Sequence, residues 1–352
     1  APAPAELAAA AASAPPSWWR SEKARLSQPK ADRAAQEVHL EARVVKILER
    51  RNQNIPGTLF IRAKHAWVIP DDVLLPNVDL QISDDTEAKA GDKVVVAIDE
   101  WPTRSARMKG HLVKRLGRPG EKGVDVLGII YKFRLPLEFP DAVLKEAASH
   151  PDEIPAAEIA RREDCRGHHI ITIDPFDAKD FDDAIGVTQL KDGGFELHVH
   201  IADVAHYVTP GSALDKEARE RGNSTYLVDR VIPMLPERLS NGLCSLRPHE
   251  DKLTRFAVLT FNAKGQRTGQ RFGAGVIRSA RRYSYEEAMA SMKNPDVGDP
   301  DSDLLQRAWK LASMMRKRRY QHGALDLEFP EIKIILDEKG GPVRLATIQY
   351  DE

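Results

Sequence analysis

The chain has 352 residues, with 52 Lys and Arg against 53 Asp and Glu, so its formal net charge of -1 by itself points neither to a nucleic-acid binder nor to an acidic tail. A hydrophobic fraction of 42% supplies cores for about two or three domains, and no run approaches the roughly 18 apolar residues that cross a bilayer. Cys165 and Cys244 lie far apart without metal-type or redox-type spacing, and the Ala/Pro-rich start has no basic segment ahead of an apolar one. Together these features predict a cytoplasmic protein with no membrane attachment.

Residues 1–36 run from Ala1-Pro2-Ala3-Pro4 through an alanine stretch to Trp18-Trp19 with no repeated apolar face, which predicts a flexible tail. From Val38 to about Asp99 the signals are short β segments between turns: Leu40 to Leu48, Gly57 to Ile61, Ala66 to Pro70, Val78 to Ile82 and Lys93 to Ile98. Strands this short and closely spaced predict a small barrel or sandwich. Arg50, Arg51, Arg62 and Lys64 lie near its early strands, and Trp101 to Leu135 carries nine Lys and Arg against Glu121 and Asp125. That suits an oligonucleotide-binding barrel, in which Phe60 and Trp67 either stack on bases or fill the core.

Beyond this come a loop over Gly117 to Gly123, an apolar strand or short helix over Val124 to Tyr131, and a helix over Asp141 to His150 after Pro140. Pro151 and Pro155 mark a connector, and Ala156 to Arg162 reads as a short helix, so a domain boundary is expected near residue 150. The predicted organisation is thus a tail over 1–36, an RNA-binding barrel with its connector over 37–150, and a mixed α and β region over 151–352.

In that last region Ile170 to Ile173 reads as a strand, the aspartate segment after it as a loop, and Ala184 to Leu190 and Phe195 to Val204 as a hairpin around Lys191 to Gly194. Ser212 to Arg221 is a helix, Phe256 to Phe261 and Arg271 to Ile277 are paired strands, Ser284 to Met292 and Asp303 to Gln321 are helices, and Glu331 to Leu336 pairs with Val343 to Ile348.

Five aspartates fall within the ten residues Asp174 to Asp183. Carboxylates so crowded repel one another unless a cation sits among them. In an extended segment Asp180 and Asp182 project to one side and Asp183 to the other, and Asp174 at the preceding strand end can fold back across the loop. Hard oxygen ligands without His or Cys favour Mg²⁺, with Mn²⁺ as the alternative, and a common use is to activate water for phosphodiester hydrolysis. A solvated Asp-rich turn is the competing reading, and Asp177 suits a loop cap.

The string Thr172-Ile173-Asp174-Pro175-Phe176-Asp177-Ala178-Lys179-Asp180-Phe181-Asp182-Asp183-Ala184 resembles the signature of the ribonuclease II and ribonuclease R family. His200 to Val204, Arg221 to Tyr226 and Ile232 to Leu246 follow in the family's order, and the upstream barrel resembles a cold-shock domain, closer to the ribonuclease R branch. The resemblance implies an α+β protein: a cold-shock-type OB β-barrel followed by a mixed α/β RNB catalytic domain. It implies a monomeric, Mg²⁺-dependent hydrolytic exoribonuclease that degrades single-stranded RNA processively from the 3′ end to nucleoside 5′-monophosphates.

Carried over by position, Asp174, Asp180, Asp182 and Asp183 are the catalytic and metal-binding residues, with Asp182 the most critical for rate. Tyr226 and Tyr285 are RNA-stacking residues, Arg221 contacts phosphate or forms a salt bridge, and His200 and Asp203 are structural. In the family the catalytic domain continues past the position of Glu352 into helices that supply a phosphate-binding arginine, followed by a second OB-type domain. The resemblance therefore also implies a chain truncated at its C-terminus, and leaves an RNA-binding module or scaffold without turnover as the alternative.

Overall fold

A computed structural model of the chain describes residues 45–48, 50, 53–63, 65–81, 87–327, 331–337 and 340–348. The expected tail, Arg51, Lys64 and most of the Leu40 to Leu48 strand lie outside the described residues; Val45 to Leu48 are exposed coil rather than strand.

Five strands close a barrel without them: β1 (Asn54–Arg62), β2 (His65–Pro70), β3 (Val78–Leu80), β4 (Lys93–Glu100) and β5 (Met108–Gly117), in the order β1-β2-β3-β5-β4. Alternate residues turn inward, as the pleat requires, so that Leu59, Val68, Val78, Val94, Val96 and Met108 are fully buried. Each such side chain contributes roughly 1.5–3 kcal/mol of transfer free energy. On the outer side Phe60 faces Trp67 across β1 and β2 with ring centroids 5.7 Å apart, and His65 stacks next at 5.4 Å. These aromatics are therefore not barrel core.

The basic stretch expected to follow the barrel contains its fifth strand. Arg115 on β5 donates from Nε to the fully buried Asp92 carboxylate at 2.6 Å, and Lys109 pairs with Glu100 at 3.0 Å. The Arg115 guanidinium holds the Asp92 carboxyl below the usual carboxylate range. Part of the positive run is thus neutralised within the barrel.

Three helices follow: α1 (Val124–Phe133), α2 (Asp141–Ser149) and α3 (Ala156–Ala160). Val143 and Ala147 of α2 join a core with Ile170, Ala202, Leu239 and Phe256.

Seven strands form the main sheet. They are β6 (Glu163–Asp164), β7 (Ile171–Asp174), β8 (Asp183–Gln189), β9 (Phe195–Ala202), β12 (Asp251–Phe261), β13 (Arg267–Arg278) and β14 (Arg281–Ser284), ordered β14-β7-β8-β9-β12-β13-β6. Between β9 and β12 lie α4 (Val204–Tyr207), α5 (Ala213–Arg221), a small hairpin of β10 (Thr225–Tyr226) and β11 (Val231–Ile232), and a π-helical turn at Arg238–Leu243.

After β14 come α6 (Tyr285–Lys293) and α7 (Pro300–Gln321), then a hairpin of β15 (Glu331–Leu336) and β16 (Pro342–Ile348). Local chemistry sets these helix starts. Ser284 and Glu287 form a capping box on α6. Asp299 accepts from the Ser302 N–H at 2.9 Å with Pro300 in the first turn, so α7 begins three residues before the apolar periodicity suggests. Among the described residues no helix is long and apolar enough to cross a membrane.

Candidate active site

The apolar run Ile170 and Ile171 is fully buried, which fixes β7 inside the sheet and delivers Asp174 to its end. Antiparallel pairing of Ile171 with Ile185 brings the start of β8, at Asp183, to that same end of the sheet. The eight residues between, 175–182, form the loop that carries Asp180 and Asp182.

Asp174 is 8% exposed, and its Oδ2 is buried with no hydrogen-bond partner. Burial pushes its carboxyl up to about 6; the negative charges of Asp183 and Asp180 add to the rise, while Thr172 and the Arg282 guanidinium pull the other way. Asp182 reaches solvent, yet surrounding atoms strip part of its hydration, and Asp180 and Asp183 push it further upward. The four aspartates thus neighbour one another as mutually repelling charges. Among the described residues, no three acidic, His or Cys side chains are closed into a metal-holding group.

The donor set nevertheless fits a hard divalent cation. It is all oxygen, and Oδ2 of the partly desolvated Asp174 carboxyl lacks the partner that a buried polar atom demands.

Both predicted tyrosines stand at this end of the sheet. The Tyr226 hydroxyl, on the β10–β11 hairpin, donates to Asp180 Oδ2 at 3.4 Å with the residue 68% exposed. Ser284 pairs with Asp174 in the parallel β14–β7 ladder, so Tyr285, the first residue of α6 and 57% exposed, follows directly.

Arg221 is placed otherwise. Its side chain is 2% exposed; Nε donates to Glu217 at 2.8 Å, Nη1 to the carbonyls of Pro136 and Pro233, and Nη2 to that of Glu138. The guanidinium also lies 3.6 Å from the Phe139 ring centroid. Of the two roles open to it, the structure holds the salt bridge, and a group so enclosed does not reach a phosphate.

Asp177 is exposed and pairs with Lys333 at 3.6 Å. His200 is fully buried and bonded through Nδ1 to Thr254 Oγ1 at 3.0 Å. Asp203 is buried against Arg162 at 2.7 Å and Arg255 at 3.2 Å, so both residues of that motif are structural.

Two residues at the site carry no local signal in the sequence. Ser245, fully buried, donates to the Lys179 carbonyl at 2.9 Å and accepts from the Phe181 N–H at 3.1 Å. Arg282 on β14 donates from Nη2 to the carbonyls of Pro175 and Phe176 at 2.5 and 2.8 Å. Ser245 lies inside the family-like string Ile232 to Leu246 and Arg282 next to the predicted helix start at Ser284, but only the folded loop shows what each touches.

Residues 162–352 match the family model described as the RNB domain, and residues 67–140 match a cold shock domain. The chain is 37% identical over 319 residues to ribonuclease R of Aquifex aeolicus, covering 87% of this chain and 44% of that protein. It is 40% identical over 312 residues to ribonuclease R of Thermotoga maritima, covering 86% of this chain and 44% of that one. The chain therefore spans a little under half the length of these relatives.

Among solved structures, Mycoplasma genitalium RNase R in complex with double-stranded RNA superposes with a TM-score of 0.79 at 27% identity, covering 88% of this chain and 55% of that chain. Yeast Ssd1, described as a pseudonuclease, shares the fold at 21% identity, with a TM-score of 0.64 over 79% of this chain and 35% of that one.

Proposed function

The chain belongs to the RNB-domain family, and on that premise we propose that it is the RNA-gripping and catalytic portion of a ribonuclease R-type 3′-to-5′ exoribonuclease. It hydrolyses single-stranded RNA to nucleoside 5′-monophosphates in the cytoplasm, acting as a monomer. The observation that carries this reading is the buried Asp174 carboxyl, whose Oδ2 has no hydrogen-bond partner, among the neighbouring charges of Asp180 and Asp183, which Asp182 also adjoins.

In this reading Asp174, Asp180, Asp182 and Asp183 hold Mg²⁺, which when bound supplies charge to an attacking water and to the phosphate oxygens. Asp182, partly desolvated and reaching solvent, orients the water and accepts its proton. Tyr285 stacks on the terminal nucleotides beside Asp174, and Tyr226 closes over the RNA from the side of Asp180. Stacking is indifferent to base identity, which suits an enzyme that digests any sequence. The outward ladder of Phe60, Trp67 and His65 offers the barrel's own stacking surface.

Support for RNA as substrate comes from the resemblance to ribonuclease R proteins and from the solved relative's complex with RNA. The test is incubation of 5′-labelled single-stranded RNA with the protein and Mg²⁺. Progressive shortening from the 3′ end, abolished by EDTA and by Asp182→Asn with binding retained, is the expected result. Binding without shortening by the full-length natural protein favours the scaffold reading instead.

A further inference from the structure

We propose that Ser245 and Arg282 are positioning residues that clip the aspartate loop from its two ends and so set the carboxylates where they can share a cation. The proposal deepens the metal-dependent reading above and rests on it for the cation. Residues 175–182 are a loop without ladder hydrogen bonds of their own, and its three aspartates, Asp177, Asp180 and Asp182, flanked by Asp174 and Asp183 at the strand ends, would drive one another apart. Their order has to come from outside the loop.

At the entry, the guanidinium of Arg282 takes the carbonyls of Pro175 and Phe176 with one nitrogen, while its Cζ lies 5.5 Å from the Phe181 ring centroid and 6.0 Å from that of Phe176. At the exit, the Ser245 hydroxyl bonds the residue on each side of Asp180: it donates to Lys179 and accepts from Phe181. The Leu246 N–H adds a bond to the Phe181 carbonyl at 2.9 Å, and the Ala202 N–H holds the Asp182 carbonyl at 2.9 Å. Asp180 and Asp182 therefore project from backbone fixed on both sides.

The clip is itself anchored. Ser245 follows the π-helical turn, whose Gly242 carbonyl accepts from Lys252 Nζ at 2.8 Å and whose Asn241 carbonyl accepts from Arg247. Arg238 ties the same turn to the carbonyls of Ala147 and His150. This gives the string Ile232 to Leu246 a role: its last residues brace the catalytic loop. Neither residue touches a reacting atom; they act through the aspartates, as outer partners of metal ligands do.

The test uses Ser245→Ala, Arg282→Met and Arg282→Lys in the full natural protein. Hydrogen exchange over residues 176–183 is measured in EDTA, Mn²⁺ affinity by calorimetric titration, and single-stranded RNA affinity in EDTA. Ser245→Ala and Arg282→Met are expected to speed loop exchange at least tenfold and to weaken Mn²⁺ binding about 10- to 100-fold, with RNA affinity within twofold of wild type. Arg282→Lys keeps the positive charge but loses the flat guanidinium that faces the Phe181 and Phe176 rings, so it should recover only part of the Mn²⁺ affinity.

Unchanged loop exchange, or faster exchange with Mn²⁺ affinity within twofold of wild type, overturns the proposal, as does full recovery in Arg282→Lys, which would assign the effect to charge alone. A wild-type protein that does not bind Mn²⁺ while the exchange difference persists overturns the metal reading of the site and upholds the clip. Should Ser245→Ala fail to fold, the two Arg282 variants decide the question from the half-buried end of the loop.

Discussion

At the scale of the residue, burial decides which acids and bases are free to work. Asp174 is pushed up to about 6 because it is buried among carboxylates, whereas His200, buried in the sheet away from them, is driven the other way. Burial, helped by His198 and His168, lowers the His200 imidazole to about 4 from its ordinary 6.5. The native state therefore refuses a proton that the unfolded chain accepts, and His200 costs no stability above the unfolded value.

As pH falls from about 6.5 toward 4 that stability is lost, by about 2 kcal/mol between pH 7 and 5. Denaturant unfolding at the two pH values checks this: His200→Gln should flatten the dependence, and an unchanged slope would contradict the assignment. On the proposed reading Tyr285, exposed beside the strand end, belongs to the working surface. Tyr285→Ala should weaken binding of short single-stranded RNA by about 1–3 kcal/mol, read by fluorescence anisotropy, as expected for loss of one base stack.

At the scale of the element, Arg221 shows how a family motif can mislead when its residues are taken one by one. The end of α5 is tied by that guanidinium to Glu217 and to the carbonyls of Pro136, Glu138 and Pro233. Arg221→Met should cost about 3 kcal/mol of stability, because the partners lose a buried cation, yet leave RNA affinity of the folded protein within twofold. A large loss of RNA affinity with normal stability would restore the phosphate role.

Strands and helices with strong local signatures were legible in the sequence: the β8–β9 hairpin around Lys191 to Gly194, the α6 helix near Ser284, and the apolar face of α7. The aspartate loop was legible too, because charge density is a local property. Strand β5 was not: its first residues alternate inward and outward, but the outward set is Lys109, His111 and further cations, which stand out as a basic stretch after the barrel and not as a strand of it. The apolar run of α1 was too short to separate helix from strand. Ser245 and Arg282 were hidden for another reason, since their partners lie 64 to 107 residues away and only tertiary folding brings them together.

At the scale of the whole molecule, a near-zero net charge conceals a barrel with basic and aromatic outer residues and a sheet end crowded with carboxylates. On the proposed reading the barrel grips RNA and the sheet end cuts it, so the two should separate by mutation. Replacing Phe60 and Trp67 together by alanine should reduce RNA affinity at least fivefold while leaving Mn²⁺ binding intact, read by filter binding and calorimetry. Equal loss of both would mean the barrel aromatics support the fold of the site and not the RNA.

Whether Asp174, Asp180, Asp182 and Asp183 share a divalent cation is measured most directly by anomalous diffraction from crystals of the protein soaked in Mn²⁺. A peak about 2.0–2.4 Å from carboxylate oxygens of Asp174 and its neighbours, lost in Asp174→Asn, is the predicted result. Absence of a peak at millimolar Mn²⁺ with an ordered loop, or a peak that persists in Asp174→Asn, would contradict the account.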